Sequence, residues 1–516
     1  MKTNKLTFAL LGLLYMMSLF SCSDLDEEVF SSIATDDFFN NEEEVIMNAG
    51  RAYAHLRGGT TSLWGEFGVK TVSSDEAIIP FRETNLWWDG GVWVDLHRHN
   101  FSEQNPIIGD AWDHIFNGIS ICNQIIYQNN ESPVEFEEKD KITAEIILLR
   151  AYLYYIGLDM FGNIPISTDF IDTTLPVQSN RQEVFAFIEK EILDNISLVD
   201  PAQNAQNYGR SNQAMGYAIL ANLYLNAEEW IGEPKWQEAI DAADKIINLG
   251  HFNLSSDYFA NFSPENEISS ENIFVVPYDR TYTTGWYNNF IMHCFTLHTL
   301  SQQTFGIVEF TWDGIAAMED FYSIYDENDS RINSWMIGPQ YSMSGDPLML
   351  SSTRQLTYRP NIHSLYEPSD PALLDDGVRF KKYMYEPGIL PDQSMSNDWV
   401  VFRFADVLMM KAEAIMRQNG GSATQEAVDI VNMIRARAFE DSSHNYTTST
   451  LTMEELLKEM GREFAWENRR RRDLIRFGEW SKPWFEKPAG GDHLKLFPIP
   501  IRALDVNPNM QQNPGY

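Results

Sequence analysis

The stretch SNQAMGYAILANLYLNAEEWIGEPKWQEAIDAADKIINLG, residues 211–250, constrains the fold more than any other part of the chain. Its apolar residues recur every three or four positions, the period of a helix with one buried face. Ser211 stands where an N-cap is needed, and Ala214, Ala218 and Ala221 put small side chains on one face, so a neighbouring helix can approach closely. After GEPK, the residues Trp236, Ala239, Ile240, Ala243, Ile246 and Ile247 form the answering stripe, and Gly250 ends it. A second pair has the same plan: RFADVLMMKAEAIMRQ, the turn NGGS, then ATQEAVDIVNMIRARA.

Hairpins of this length with alanines at the crossing points follow the style of tetratricopeptide units of about 34 residues, so the fold class is mainly α. Further helical patterns precede them. Val45, Ile46, Ala49, Ala52, Tyr53 and Leu56 keep the period, as do Ile115, Ile119, Cys122 and Ile126. Residues 140–161 are apolar on most sides, which predicts a buried helix, stopped where Gly162 caps and Pro165 cannot continue. Residues 251–400 read differently. Rich in Pro, Gly, Ser, Asn and aromatics, they predict a large irregular insert of loops and short elements on the helical frame, where binding residues usually sit. The expected organisation is thus a helical part at 41–250, the insert at 251–400 and a closing helical part at 401–516.

The N-terminus carries a separate message. Lys2 and Lys5 precede an apolar run from Phe8 to Phe20, shorter than the roughly 20 residues of a membrane span. The run stops at LFSCSDLDEE, where Leu19, Ser21 and Cys22 fit a bacterial lipobox. Residues 1–21 are therefore expected to be a lipoprotein signal, Cys22 the site of lipid attachment, and 22–40 an acidic tether. Nowhere later is there a run of the roughly 18 apolar residues that a spanning helix needs, so lipid alone is expected to hold the protein to a membrane. The formal net charge of −36 repels nucleic-acid phosphates and anionic surfaces, while 44% hydrophobic and 13% aromatic residues exclude a disordered chain. Cys122 and Cys294 form no disulfide framework; a bridge between them stays open at this stage.

The one basic run, REFAWENRRRRDLIRFGEW, does not reverse the charge argument. On a helix opened by Thr452 and Glu455, four successive arginines point about 100° apart and make no single basic face. The spacing of Glu463, Glu467, Arg470 and Arg471 predicts ion pairs within that helix. Neither G-x-S-x-G, nor a Walker loop, nor H-E-x-x-H occurs. The histidines of HRH at 97–99 lack a third ligand, and YDENDSR at 325–331 lacks the glycine and closing glutamate of an EF-hand, leaving a structural calcium there a weak expectation and no other cofactor indicated.

REFAWENRRRRDLIRFGEW, AEIILLRAYLYYIGLDMFGNIPI, RFADVLMMKAEAIMRQNGG with IVNMIRARA, and the closing LFPIPIRALDVNPNMQQNPGY together resemble the SusD/RagB family of outer-membrane nutrient-binding lipoproteins of Bacteroidetes. The resemblance runs from Cys22 to Tyr516. It implies four tetratricopeptide-like units carrying an irregular ligand-binding half, and a non-catalytic protein on the extracellular face of the outer membrane. It also implies capture of a glycan, or in RagB-like members a peptide, for a SusC-like TonB-dependent transporter. The acids Asp24, Asp26, Glu27 and Glu28 would then mark export to the outer face. A surface glycoside hydrolase, with paired carboxylates flanking a cleft, is the alternative from another class.

A glycan offers C–H faces to flat rings and hydroxyls to carboxylates, amides and guanidinium groups. The densest supply is SSDEAIIPFRETNLWWDGGVWVDLHRHN, which contributes Trp87 and Trp93 around an Asp-Gly-Gly turn, with Asp75 and His97 nearby. The insert adds Trp286, Cys294 and Trp312, and GVRFKKYMYEP adds Arg379 and Tyr383. About half of these tryptophans are expected in the core.

Overall fold

The computed structural model describes Phe39 and residues 41–83, 86–286, 288–439 and 441–516. The signal-like segment, Cys22 and the acidic run after it lie outside these residues.

The helical patterns fold where the periodicities place them. α1 (Glu42–Thr60) opens on Asn41, whose side chain accepts from the Glu44 amide, and is followed by α2 (Glu66–Val72) and α3 (Val92–Arg98). α4 (Pro106–Glu131) has Pro106 in its first turn, where the missing amide costs no hydrogen bond. α5 (Lys139–Phe161) is buried almost throughout its last five turns and stops at Gly162, whose φ of 72° is the left-handed region that glycine enters without strain. α6 (Arg181–Asn195) starts with a capping box between Asn180 and Glu183. α7 (Gln213–Leu225) and α8 (Trp236–Leu249) form the first hairpin. Its cap is Asn212, not Ser211: the Asn212 carboxamide accepts from the Met215 amide, while Ser211 is buried against the Tyr53 hydroxyl.

The helices pack in series, α1 on α4, α4 on α5 and α5 on α6, then α7 on α8. The stack continues through the closing helices, α9 (Phe404–Gln418) lying on α8 and α10 (Gln425–Phe439) on α9. Ala214, Ala218 and Ala221 are fully buried, and a further small residue, Gly118, sits where α4 meets α1 and α5. A Cβ on Gly118 would stand 2.8 Å from both the His55 and Leu153 side chains.

Between the two helical parts the chain makes short antiparallel pairs. The longest joins β1 (Asn272–Val276) to β2 (Trp399–Arg403), with Trp399 opposite Val276 and an irregularity around Phe402. One apolar core runs without a break from the helices into this region, through residues such as Phe67, Tyr152, Phe274, Phe290, Trp399 and Trp466.

The basic run differs from its expected form. The helix ends at Glu463, closing α11 (Met453–Glu463); Trp466 and Asn468 take φ of 57° and 60°, and α12 (Arg470–Arg476) starts afresh. The ion pairs reach across the molecule instead of along one helix. Arg470 grips Asp75 at 2.6 Å, Arg471 meets Asp159 at 3.1 Å, and Arg469 meets Asp406. Glu463 takes Arg331 at 2.8 Å and Arg403 at 2.6 Å, and Glu467 takes Arg403 and Lys382. All four arginines of the run are buried, so none is offered to a phosphate. Cys122 and Cys294 are separate, free and buried.

Candidate functional site

The expected site residues divide sharply once their surroundings are known. Trp93 is fully buried on α3, and its indole N–H donates to Asp89 at 2.9 Å. His97, one turn on, is also buried and bonds the Phe485 carbonyl through Nε2 at 2.7 Å; burial pushes its pKa down to about 4, so it is neutral. His99 is engaged in the same way with the Ser73 carbonyl, so both histidines of HRH bond backbone. Asp75 is spent on Arg470. Tyr383 is fully buried and stacked on Trp399, with centroids 5.5 Å apart. Arg379 is fully buried, stacked over Tyr358 and paired with Asp313 at 2.8 Å. The Cys294 thiol is buried, and burial raises its pKa well above the usual value. Trp93, His97, Tyr383, Arg379 and Cys294 reach no surface that a glycan could cover, and Asp75, though partly exposed, is taken up by Arg470 away from Trp87 and Trp312. The five buried side chains belong to the interior, where packing, ring stacking or a hydrogen bond accounts for their residue types without a ligand.

Trp87 and Trp312 have the opposite placement. With Trp64, Trp286 and Phe310 they line an open cavity of about 520 Å³, completed by Leu86, Asp89, His298, Thr299, Thr311, Asp313 and Leu374. The rings meet at varied angles. Trp286 and Trp312 stack with centroids 5.3 Å apart and 29° between planes, whereas Trp64 stands at 67° to Trp312 and 47° to Trp286. The resulting surface is curved, not a flat platform. Trp286 and Phe310 remain 49% and 62% exposed, so apolar area is left for a partner to cover.

The residues withdrawn from the surface hold this cradle in place. The Trp312 amide donates to the Cys294 carbonyl at 2.8 Å, and the Gly314 amide to the Phe295 carbonyl at 3.0 Å, pinning the 312–314 turn to the short helix at Met292–Thr296. The Trp87 indole N–H donates to the Trp312 carbonyl at 2.7 Å, locking the two rings together. Gly314 is required there, because a Cβ would lie 2.5 Å from the Trp87 ring. Trp87 itself takes a φ of 64°, a left-handed conformation costing about 1–3 kcal/mol in a non-glycine residue, held by these contacts. Beneath the turn, Arg82 donates to the carbonyls of Asp313 and Gly314 at 2.7 and 3.2 Å, and Arg379 fixes the Asp313 carboxylate. Burial keeps the pKa of His298 below its usual value, so the ring is a neutral hydrogen-bonding group.

Trp64 and Phe310 were not among the expected residues. Trp64 follows α1 in a stretch that reads as the end of a helical pattern, and Phe310 lies within FGIVEFTWDG; only EFTWDG signalled the region. No group of histidine, cysteine and acidic side chains suited to a metal occurs among the described residues.

Residues 248–516 match the family model described as "SusD family", and residues 54–225 match "Starch-binding associating with outer membrane". The starch-binding protein SusD of Bacteroides thetaiotaomicron is 25% identical over 446 residues, covering 78% of each chain. SusD-like protein P2 of Formosa agariphila is 25% identical over 553 residues and covers both chains completely. Among solved structures, a laminarin-binding SusD-like protein superposes with a TM-score of 0.75 at 18% identity, over 93% of this chain and all of the other. Surface glycan-binding protein A from Bacteroides thetaiotaomicron, in complex with laminarihexaose, gives 0.73 at 18% identity over 92% of this chain and all of the other.

Proposed function

As the chain belongs to the SusD family, we propose that it is a surface glycan-binding lipoprotein that captures an oligo- or polysaccharide in the aromatic cavity and passes it to a SusC-like TonB-dependent transporter. The observation that carries this reading is the curved wall of Trp64, Trp87, Trp286, Phe310 and Trp312 around an open space of about 520 Å³. Indole faces cover the apolar faces of sugar rings, and Asp89, His298 and Thr299 supply hydroxyl partners. In this reading Cys22 carries the lipid that holds the protein at the outer membrane, on its extracellular face. Relatives described as binding starch and laminarin support a glycan, and they differ enough among themselves to leave its linkage to experiment.

Binding without catalysis fits the carboxylates of the cavity. A glycosidase needs one carboxylic acid and one carboxylate free to act across the bond. Of the two carboxylates lining the cavity, Asp313 is held by Arg379, which leaves Asp89 alone where such an enzyme needs a pair. No cofactor has a part in this reading.

Affinity electrophoresis in gels containing starch, laminarin, fructan or xyloglucan tests it. Retardation by at least one of them, abolished in Trp312→Ala, is the expected result. A chain that migrates identically in all of them, or that releases oligosaccharides from any of them, overturns the reading.

A further inference from the structure

A second cavity, of about 590 Å³, adjoins the aromatic one and shares Trp64 and Trp286 with it. Those two indoles, with centroids 5.9 Å apart, are therefore a partition with a face toward each side. The second cavity has a different character. Its far wall is the first half of α4, where Asp110, Asp113 and Asn117 fall at helical spacing on one face. Its near wall is the last turns of α1 and the residues after it, through His55, Gly58, Gly59 and Ser62.

The floor is a rigid, uncharged pair. His55 and His114 stack with centroids 4.5 Å apart and 14° between planes, and His55 Nε2 bonds the His114 carbonyl at 2.8 Å. Burial lowers both pKa values, that of His114 to about 3, so neither imidazole is charged at neutral pH. Gly59 has no room for a side chain, since a Cβ would stand 2.1 Å from the His114 ring. On the rim, Arg502 reaches Asp110 at 2.9 Å and Asp113 at 3.1 Å. One guanidinium between two carboxylates leaves a net negative charge and free acceptor lone pairs. The Asn117 side chain is exposed and has no hydrogen-bond partner among the described residues.

We propose that this polar cavity is a second sugar subsite, reached by the same glycan chain that lies in the aromatic cavity, and that it selects neutral over anionic glycans. The inference rests on the glycan-binding reading and deepens it. A hexose crossing the Trp64–Trp286 partition keeps an indole against its C–H face and turns its hydroxyls toward the Asp113 carboxylate and the Asn117 amide. Carboxylates accept from vicinal hydroxyls in pairs and repel a uronate or sulfate ester placed at the same distance. The −36 net charge of the chain adds to that repulsion at longer range.

The test is calorimetric titration of the intact chain with the disaccharide and the hexasaccharide of the laminari- and malto- series, and with sulfated laminarin. The chain is compared with the double variant Asp113→Asn/Asn117→Ala, with Asn117→Ala alone, and with Trp312→Ala. Both substituted positions lie at the exposed rim, and a thermal melt verifies each fold. The expected result is that the hexasaccharide loses roughly tenfold in affinity in the double variant, the equivalent of about one or two hydrogen bonds, while the disaccharide changes little. Sulfated laminarin is expected to bind the unaltered chain far less than laminarin, and the double variant to narrow that gap. An unchanged advantage of hexasaccharide over disaccharide in the double variant overturns the second subsite while leaving the aromatic site intact. Loss of both ligands in Trp312→Ala shows that the aromatic site itself is real. Failure of the unaltered chain to bind any of these sugars removes the glycan reading, and this inference with it.

Discussion

Trp312 and Tyr383 are both aromatic residues of the insert, yet they do different work, and burial separates them. Trp312 presents part of its ring to the cavity, so Trp312→Ala is expected to weaken glycan binding by about 2 kcal/mol or more, roughly thirtyfold, with little change in melting temperature. Tyr383 is fully buried between Phe262, Phe290 and Trp399, so Tyr383→Ala is expected to cost about 3–5 kcal/mol of stability by leaving a cavity. Parallel titration and urea melts distinguish the two, and a reversal of the two outcomes overturns the assignment. Arg379→Ala belongs with the second class. It leaves Asp313 inside the protein with Arg82 at 3.6 Å as its remaining counter-charge, with an expected cost of about 3 kcal/mol by chemical denaturation. The region of the site was legible in the sequence because tryptophans concentrate near 87–93 and 286–312. The side-chain directions were not legible. Trp87 faces the cavity and Trp93 the core, and what separates them is a left-handed φ at Trp87 and at Asp89 that no local pattern announces.

At the scale of elements, the repetitive helices were legible and the junctions were not. Alanine stripes in α7 and α9 specify close packing from local sequence alone, and the stack forms accordingly. The REFAWENRRRRDLIR segment reads locally as one helix with internal ion pairs, and the structure departs from this because its partners Asp75, Asp159, Arg331 and Arg403 are far away in the chain. Within this network burial pushes the pKa of Glu459 up, and Arg331, Arg462 and Arg435 outweigh it, bringing it down to about 2. A carboxylate depressed in the folded state adds stability above its unfolded value, near 4.3, and that contribution is lost as pH falls toward about 2. The network ties the 271 and 331 segments of the insert to α10 and α11, so it also fixes the frame on which the binding loops stand. Glu463→Gln leaves Arg331, Arg403 and Arg437 with one fewer buried counter-charge. It is expected to lower stability by about 3–5 kcal/mol in a urea melt, and a loss below about 1 kcal/mol would show that the network contributes orientation, not stability.

Over the whole molecule, other buried carboxylates act in the opposite sense, and their sum sets the pH at which the fold is firmest. Burial raises Glu76 to about 8, Glu145 to about 7 and Asp398 to about 6. A carboxyl group raised in the folded state holds a proton that the unfolded chain has already released. Its stability contribution is therefore full below the unfolded value, near 4.3 for Glu and 3.9 for Asp, and is lost as pH rises through the folded one. Acid titration of the Glu459 network and alkaline titration of these three groups thus bound the stable range from both sides, with the maximum expected near pH 5. Glu76 is the most informative of the three. It sits between scaffold and closing segment, accepting the Trp466 amide at 3.0 Å, with Asp75, Arg470 and Lys382 as charged neighbours. Glu76→Gln keeps an acceptor for that amide and removes the titration. The unaltered chain is expected to melt at a lower temperature at about pH 8 than at about pH 5, and the variant to lose part of that difference. An equal drop in both proteins assigns the alkaline loss to Glu145 and Asp398, whereas a rise toward pH 8 in the unaltered chain contradicts a neutral Glu76 altogether.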